Sequence, residues 1–156
     1  MPVIRLRTMI AAPIESCFDA ARNIDLHVGS TARTKEKAVG GVTVGLIGPG
    51  EIVTWEAVHL GIKQRLTTRI TEYQRPYLFT DVMVRGAFHS FTHTHEFRPA
   101  GQGTLMIDTF TYESPLGFLG RLVDNLFLER YMKRFLRERA LYLKRATEAH
   151  NLLAGP

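Results

Sequence analysis

Cysteine is almost absent from this chain of 156 residues, which contains Cys17 alone. One cysteine excludes an internal disulfide, a multi-cysteine zinc site and a Cys-x-x-Cys redox pair. Long apolar runs are also missing, since uncharged stretches such as 38–50 contain glycines and are too short to span a bilayer. Arg5 and Arg7 interrupt the apolar run nearest the start of the sequence, so we expect no secretory signal. These features predict one cytoplasmic domain over residues 1–156, without stable membrane insertion.

Acidic residues are fewer than basic ones, 15 against 20, which gives a net charge of +5. The excess lies in residues 121–145, where eight basic residues stand against three acidic ones. Such a segment is typical of a solvated helix face, and a basic surface that meets a membrane or a partner is the alternative. Nucleic-acid binding is not expected, because the aromatic residues of the predicted sheet face inward and cannot form a stacking platform.

The first two thirds of the sequence predict strands and two short helices. Side chains alternate in Val3–Ile10, as in a strand, and Pro13 suits the start of a short helix. A second short helix is predicted at 25–31. Four turn signals divide residues 51–112 into antiparallel strands, with a threonine- and charge-rich outer face.

A long amphipathic helix is predicted at 121–150, with Met132 and Phe135 on its apolar side. The apolar segment 115–119 precedes it, and either caps a cavity or packs on the helix start. One long helix and a curved antiparallel sheet with one apolar face predict an α+β fold in which the sheet wraps around the helix.

The inner face of the predicted sheet carries ionisable residues among its apolar ones. An unpaired buried polar group costs about 1–3 kcal/mol, so a dry core should not contain them. We therefore predict an internal ligand cavity with apolar walls and a polar belt; a self-satisfied His–Asp network that fixes the sheet register is the alternative. The expected ligand-contacting residues are Trp55, His59, Phe79, Asp81, Met83, Arg85, Phe91, His93, His95, Met106, Asp108, Phe110, Met132, Phe135 and Arg139.

Asp81, His93 and Asp108 are predicted to stand in one row across three strands, about 5 Å apart. A histidine flanked by carboxylates suits proton transfer to a carbonyl or hydroxyl group, so these three are the candidate catalytic residues. Arg139 lies on the apolar side of the long helix. A buried guanidinium there needs a carboxylate such as Asp81 or Asp108, or else its stem extends to the cavity rim. Cys17 is expected in the core.

The histidines also invite comparison with a metal site. His93 and His95 would put two imidazoles on one strand face about 7 Å apart, and His89 adds a third. This spacing resembles the His-x-His of metal-binding jelly-roll barrels, but no glutamate follows at the position those sites need. We therefore expect neither a metal nor another cofactor.

Apolar residues on the outer face of the predicted sheet indicate a modest surface patch. They are Val82, Val84, Leu105 and Ile107. Exposed apolar patches mark contact surfaces, so the patch predicts a possible homodimer.

Several segments resemble the START-like (SRPBCC) superfamily, which includes polyketide cyclases and dehydrases, lipid-transport proteins and relatives of the birch-pollen allergen. Ala11-Ala12-Pro13 followed by Phe18 is similar to its apolar-Ala-Pro-x-x-x-x-Phe opening. The segments that resemble a bacterial branch are 50–55, 79–88, 93–97, 103–108 and 114–117. The resemblance spans nearly the whole chain and implies the helix-grip fold.

The resemblance implies a deep hydrophobic cavity for a lipid, polyketide or aromatic-like molecule. The superfamily contains carriers, hormone binders, cyclases and oxygenase domains, so two interpretations stay open. One is a ligand-binding protein, and the other is a cyclase- or dehydratase-type enzyme in which His93 acts with Asp81 and Asp108. A ring hydroxylase would also need an iron–sulfur domain, for which this chain lacks the cysteines.

Overall fold

The computed structural model describes residues 1–114 and 127–155. Its strands are β1 (Val3–Ile10), β2 (Lys37–Gly41), β3 (Ile52–His59), β4 (Ile62–Gln74), β5 (Leu78–Arg85), β6 (Ser90–Ala100) and β7 (Gly103–Glu113). Its helices are α1 (Ile14–Ala21), α2 (Ile24–Ser30) and α3 (Glu129–Ala154), with a 3-10 turn at Ala32–Thr34.

The seven strands form one antiparallel sheet in the order β1-β7-β6-β5-β4-β3-β2. The sheet is curved, and α3 packs against β1, α1 and α2. This arrangement confirms the helix-grip fold that the sequence predicted. It places inward side chains of β3–β7 opposite α3, where they form the core and the wall of a cavity.

The two short helices are placed by local signals. Pro13 precedes α1, whose buried residues are Cys17 and Phe18. The side chain of Asn23 caps α2 by accepting a hydrogen bond from the backbone N–H of Leu26 at 3.1 Å. The core position expected for Cys17 is confirmed, because its exposed fraction is 0%.

The apolar interior consists of two clusters. In one, the ring of Phe18 makes edge contacts with Phe79 and Phe97 at centroid distances of 5.3 and 5.5 Å. The other joins aromatic residues of β6 and β7 to the buried side of α3. Leu66 packs against both clusters. The lining of the candidate cavity includes Leu66 and residues of both clusters.

The predicted bounds agree with the structure at β1, and the structure ends α3 four residues beyond the predicted His150, at Ala154. The predicted start of the long helix at 121 and the predicted capping segment 115–119 lie outside the described residues. Among the described residues of the basic face, Arg130, Lys133, Arg134, Arg137 and Arg145 are exposed. Contact of this face with a membrane or a partner stays a prediction.

The outward apolar patch is smaller than expected. Ile107 is buried and Val82 and Leu105 are half-buried, which leaves Val84, 54% exposed, as its accessible member. The homodimer stays a prediction. No helix within the described part of the chain combines the length and the apolar character that crossing a membrane requires.

Candidate functional site

A cavity of about 260 Å³ lies between the inner face of the sheet and α3. Leu60, in the β3–β4 turn, lines the cavity and is 57% exposed, so the cavity reaches the surface there. Its described lining residues are His27, Glu36, Trp55, His59, Leu60, Gln64, Leu66, Thr68, Asp81, Ala87, Phe88, Phe91, His93, Phe110, Ser114, Leu128, Tyr131, Met132, Phe135, Leu136 and Arg139.

The walls of the cavity are mainly apolar. Trp55 comes from β3, Phe91 and Phe110 come from β6 and β7, and Met132 and Phe135 face them from α3. These five residues occupy the inward positions that the sequence predicted. They offer a surface on which an apolar molecule is stabilised by removal from water.

His95 stands between two carboxylates behind the polar end of the cavity. Its Nδ1 lies 2.7 Å from Oδ1 of Asp108 in an ion pair, and its Nε2–H donates a hydrogen bond to Oδ2 of Asp81 at 3.2 Å. Because each ring nitrogen faces an ionised carboxylate, which offers no proton, both nitrogens carry one and the ring is an imidazolium. Burial alone would lower the pKa of His95, but the two carboxylates outweigh it and raise the pKa to about 9.

The two aspartates are ionised because the neighbouring histidines offset the cost of burying their negative charge. Burial opposes their charge, yet the hydrogen bond from His95 holds the pKa of Asp81 below its ordinary value. His93 and His95 hold the pKa of Asp108 far below its ordinary value. The ring of Phe79 stacks on His95 with centroids 4.4 Å apart, which adds a cation–π contact to the charged imidazole.

His93 lies beside this pair with an unused ring nitrogen. Its exposed fraction is 5%. Oδ1 of Asp108 is 3.3 Å from Nε2 of His93, but the two atoms lack hydrogen-bonding geometry, and Nε2 has no hydrogen-bond partner within the described ranges. Burial and the charge of His95 lower the pKa of His93, so this imidazole is neutral at pH 7.

A second polar chain enters the cavity from α2 and α3. The Nη2–H of Arg139 donates to Nδ1 of His27 at 2.7 Å. A guanidinium has no acceptor, so Nδ1 of His27 is unprotonated, and its Nε2–H donates to Oε1 of Glu36 at 2.6 Å. Burial, with the charge of Arg139, lowers the pKa of His27. The His27 ring stacks on Trp55 at a centroid distance of 3.9 Å.

Arg139 lines the cavity and is half-buried, which favours the buried position among the two alternatives that the sequence left open. Its hydrogen bond goes to His27 and not to the predicted Asp81 or Asp108. Its Nε is buried and has no partner among the side chains and backbone that the structure describes. This leaves one buried donor without a partner on a residue that lines the cavity.

Near the surface end, His59 and Tyr131 bridge the sheet and α3. Nδ1 of His59 shares a hydrogen bond of 2.8 Å with the Tyr131 hydroxyl. Burial lowers the pKa of His59. The contact places a neutral polar pair beside the exposed Leu60.

Some predicted site residues do not line this cavity. The β4–β5 register shifts between Thr67 and Thr68, so Arg85 pairs with Thr67 of the outer face and is exposed. The predicted inward position of Arg85 is wrong. Met83 packs instead against the apolar cluster of β6, β7 and α3.

The predicted row of Asp81, His93 and Asp108 is half correct. Asp81 does pair with His93, but β6 and β7 pair His95 with Asp108, and His93 with Phe110. The histidine between the two carboxylates is therefore His95. His95, Asp108 and Met106 line a small pocket of about 30 Å³ next to the main cavity, and Phe79 lines another of about 50 Å³.

Sequence reasoning missed His27, Glu36 and Tyr131. His27 shares one face of α2 with Ile24 and Val28, at three- and four-residue spacing, and Tyr131 precedes Phe135 by one turn, so both carried a periodic signal. Glu36 follows the 3-10 turn and carried none.

The third histidine considered for a metal site lies elsewhere, because His89 is exposed. Within the described residues, the groups whose ligand atoms could converge on an ion are Asp81, His93 and His95.

Solved structures share this architecture. Protein TTHA0849 from Thermus thermophilus is 22% identical with a TM-score of 0.78, and the match covers 99% of this chain and 100% of that one. Protein Ms6760 from Mycobacterium smegmatis is 17% identical with a TM-score of 0.70, covering 95% and 92%. Major latex-like protein 151 from Panax ginseng is 18% identical with a TM-score of 0.67, covering 97% of each chain. At these identities the likeness shows the fold.

A search of curated proteins finds no match. The family model described as polyketide cyclase / dehydrase and lipid transport matches residues 1–148, which is most of the chain. That match agrees with the helix-grip fold and with an apolar cavity between sheet and helix. The chain belongs to the polyketide cyclase / dehydrase and lipid transport family.

Proposed function

We propose that this protein binds a small or medium-sized apolar molecule, of lipid, polyketide or aromatic type, that carries at least one hydrogen-bond acceptor. The supporting observation is the cavity of about 260 Å³, whose walls are mainly apolar and whose lining includes Arg139, a residue with a buried, unpartnered Nε–H. The family supports a hydrophobic ligand-binding fold.

The apolar walls supply the affinity in this proposal. Burial of apolar surface contributes about 25 cal/mol per Å², so a ligand that hides about 200 Å² gains about 5 kcal/mol before the cost of immobilising it. Ligand pockets are commonly about 300–1,000 Å³. The cavity lies just below this range, which favours a ring system or a short acyl chain.

The polar end supplies orientation. A buried donor without a partner costs about 1–3 kcal/mol, and an acceptor oxygen on the ligand would remove that cost at Nε of Arg139. Arg139 is held in place by His27, which is itself fixed by Glu36 and by the stacked ring of Trp55. The ligand therefore meets a guanidinium whose direction is set before binding.

Fluorescence of Trp55 tests this proposal, because it is the single tryptophan of the chain and lines the cavity. Titration with 1-anilinonaphthalene-8-sulfonate should quench or shift the emission at one site. Thr68→Phe, which fills the cavity, should weaken binding at least tenfold. Thr92→Phe, on the exposed outer face of β6, should not.

Native mass spectrometry of the protein from its own host should in addition show a co-purifying lipid-like or aromatic mass. Equal probe affinity in Thr68→Phe and the unaltered protein would refute binding in the cavity. Circular dichroism of both variants establishes that each is folded.

Acid–base catalysis is a second candidate, favoured by the neutral His93 at the cavity wall with Asp81 and Asp108 beside it. In this hypothesis His93 exchanges a proton with a carbonyl or hydroxyl group of the ligand. His93→Gln should then retain ligand binding and lose any conversion of the co-purifying ligand. Unchanged ligand after incubation with the unaltered protein would contradict catalysis and leave binding intact.

A further inference from the structure

We propose that Asp81, His93 and His95 bind one divalent transition-metal ion, such as Zn²⁺, at the polar end of the cavity. One oxygen of Asp81 and one ring nitrogen of each histidine lie within 4.8 Å of one another. Two imidazoles and one carboxylate are a donor set that suits Zn²⁺ and its neighbours in the first transition row. This inference goes beyond the proposed binding of an apolar molecule and does not depend on it.

The donor atoms lie close to the spacing that a single ion requires. Bonds of about 2.0–2.1 Å in a tetrahedron place neighbouring ligand atoms about 3.3 Å apart. Oδ2 of Asp81 and Nε2 of His95 are already 3.2 Å apart. A metal ion between them replaces the proton that Nε2 now donates, and His93 completes the set by a side-chain adjustment from its place opposite Asp81 in the sheet.

Asp108 fits the role of a positioning residue. Its Oδ1 lies 2.7 Å from Nδ1 of His95 in an ion pair, whereas Asp81 contacts the other ring nitrogen, Nε2. A carboxylate on the far nitrogen of a metal-binding histidine fixes the ring orientation and increases its basicity. All four residues lie on β5, β6 and β7, neighbouring strands of a continuous sheet, so their separation is well defined.

The surroundings favour a cation. Of the described charged residues at this end, the three carboxylates are Glu36, Asp81 and Asp108, and the two cations are the Arg139 guanidinium and the His95 imidazolium. Nε2 of His93 is a buried acceptor or donor without a hydrogen-bond partner in the described part of the chain. A coordinated ion would supply positive charge and use this nitrogen.

The proposed metal site is also accessible from the main cavity. Asp81 and His93 line the main cavity. Three protein ligands leave a fourth position for water or for the polar group of a bound molecule, which is the arrangement of open zinc sites.

Metal titration of the full-length, tag-free protein tests the proposal after treatment with EDTA and removal of the chelator. Isothermal titration with Zn²⁺ should give one equivalent. Asp81→Asn and His95→Gln should each weaken binding at least 100-fold, and Asp108→Asn about 10- to 100-fold. His89→Gln is the matched control, since His89 is an exposed histidine immediately before β6, and this variant should bind Zn²⁺ with unchanged affinity.

Co²⁺ provides a readout that a purely structural role of these residues would not change. The unaltered protein should show the intense visible absorption of a four-coordinate site, and folded Asp81→Asn should not. Circular dichroism establishes which variants are folded. Absence of Zn²⁺ binding, a loss caused by His89→Gln, or a Co²⁺ spectrum that Asp81→Asn leaves intact would each overturn the proposal.

Discussion

The charge on His95 should make the metal-free protein more stable at neutral pH than at pH 10. The pKa of His95 is raised from 6.5 to about 9 in the folded chain. Below pH 6.5 both the folded and the unfolded chain hold the proton, and between pH 6.5 and 9 only the folded chain does. The free energy of unfolding therefore falls as pH rises through this window, by about 3 kcal/mol at 1.36 kcal/mol per unit.

The groups that face His95 do not obscure this slope. Asp81 on β5 and Asp108 on β7 have lowered pKa values and are ionised throughout the window. His93 has a lowered pKa and is neutral there, and Arg139 on α3 keeps its charge. Within the described residues around the ring, His95 alone changes charge between pH 6.5 and 9.

Guanidinium chloride unfolding at half-unit steps from pH 6 to 10, in EDTA, measures the slope. Subtracting the curve of His95→Gln cancels other titrations, and the difference should fall by about 3 kcal/mol from pH 6.5 to 9.5. His89→Gln, which alters an exposed imidazole, should follow the unaltered protein. Parallel curves for the unaltered protein and His95→Gln would refute the assignment of a charged imidazole between two carboxylates.

Three further changes have expected outcomes. Asp108→Asn should cost about 3 kcal/mol in chemical unfolding at pH 7, because it breaks a buried ion pair, and a cost below about 1 kcal/mol would contradict the pairing. Gly103→Ala should lower the free energy of unfolding by at least about 2 kcal/mol, because the added Cβ would lie too near the backbone oxygen of Ile10, the last residue of β1. Gly101→Ala should lower it by about 1 kcal/mol, because Gly101 lies in open space and only its positive φ of +58 opposes a side chain. Tyr131→Phe should lower the melting temperature slightly and change the His59 titration followed by histidine NMR. An unchanged His59 titration would argue against the contact.

The faces of the sheet could be predicted because side chains alternate with a strict period of two. Alternation alone predicts that Trp55, Phe91 and Phe110 face inward, since a register error of two residues leaves each residue on its face. The predicted partner of Asp108 differs from the observed one by such a shift. The β6–β7 turn pairs Ala100 with Gly103, which moves Asp108 from His93 to His95.

Other features depend on a bulge and on tertiary packing, which the alternation of side chains along a strand does not reveal. The extra residue in β5 turns Arg85 outward, and nothing in the alternation marks a bulge there. The Arg139–His27–Glu36 chain depends on how α2 packs over the sheet and against α3, which is a tertiary arrangement. Local periodicity identified the apolar side of each helix but not the partner that each polar side chain meets.

The strand order has a consequence for how the chain reaches this structure. β1 is an edge strand, and Val3 pairs with Thr111 of β7, so the earliest strand finds its neighbour only after nearly every other strand exists. Closing so large a loop carries an entropic penalty that local hairpins do not, and folds dominated by distant pairings are slow, on the order of milliseconds to seconds. During synthesis the hairpins from β3 to β7 can form in sequence before β1 has a partner. We expect the pairing of β1 with β7 to be the late step that completes the sheet.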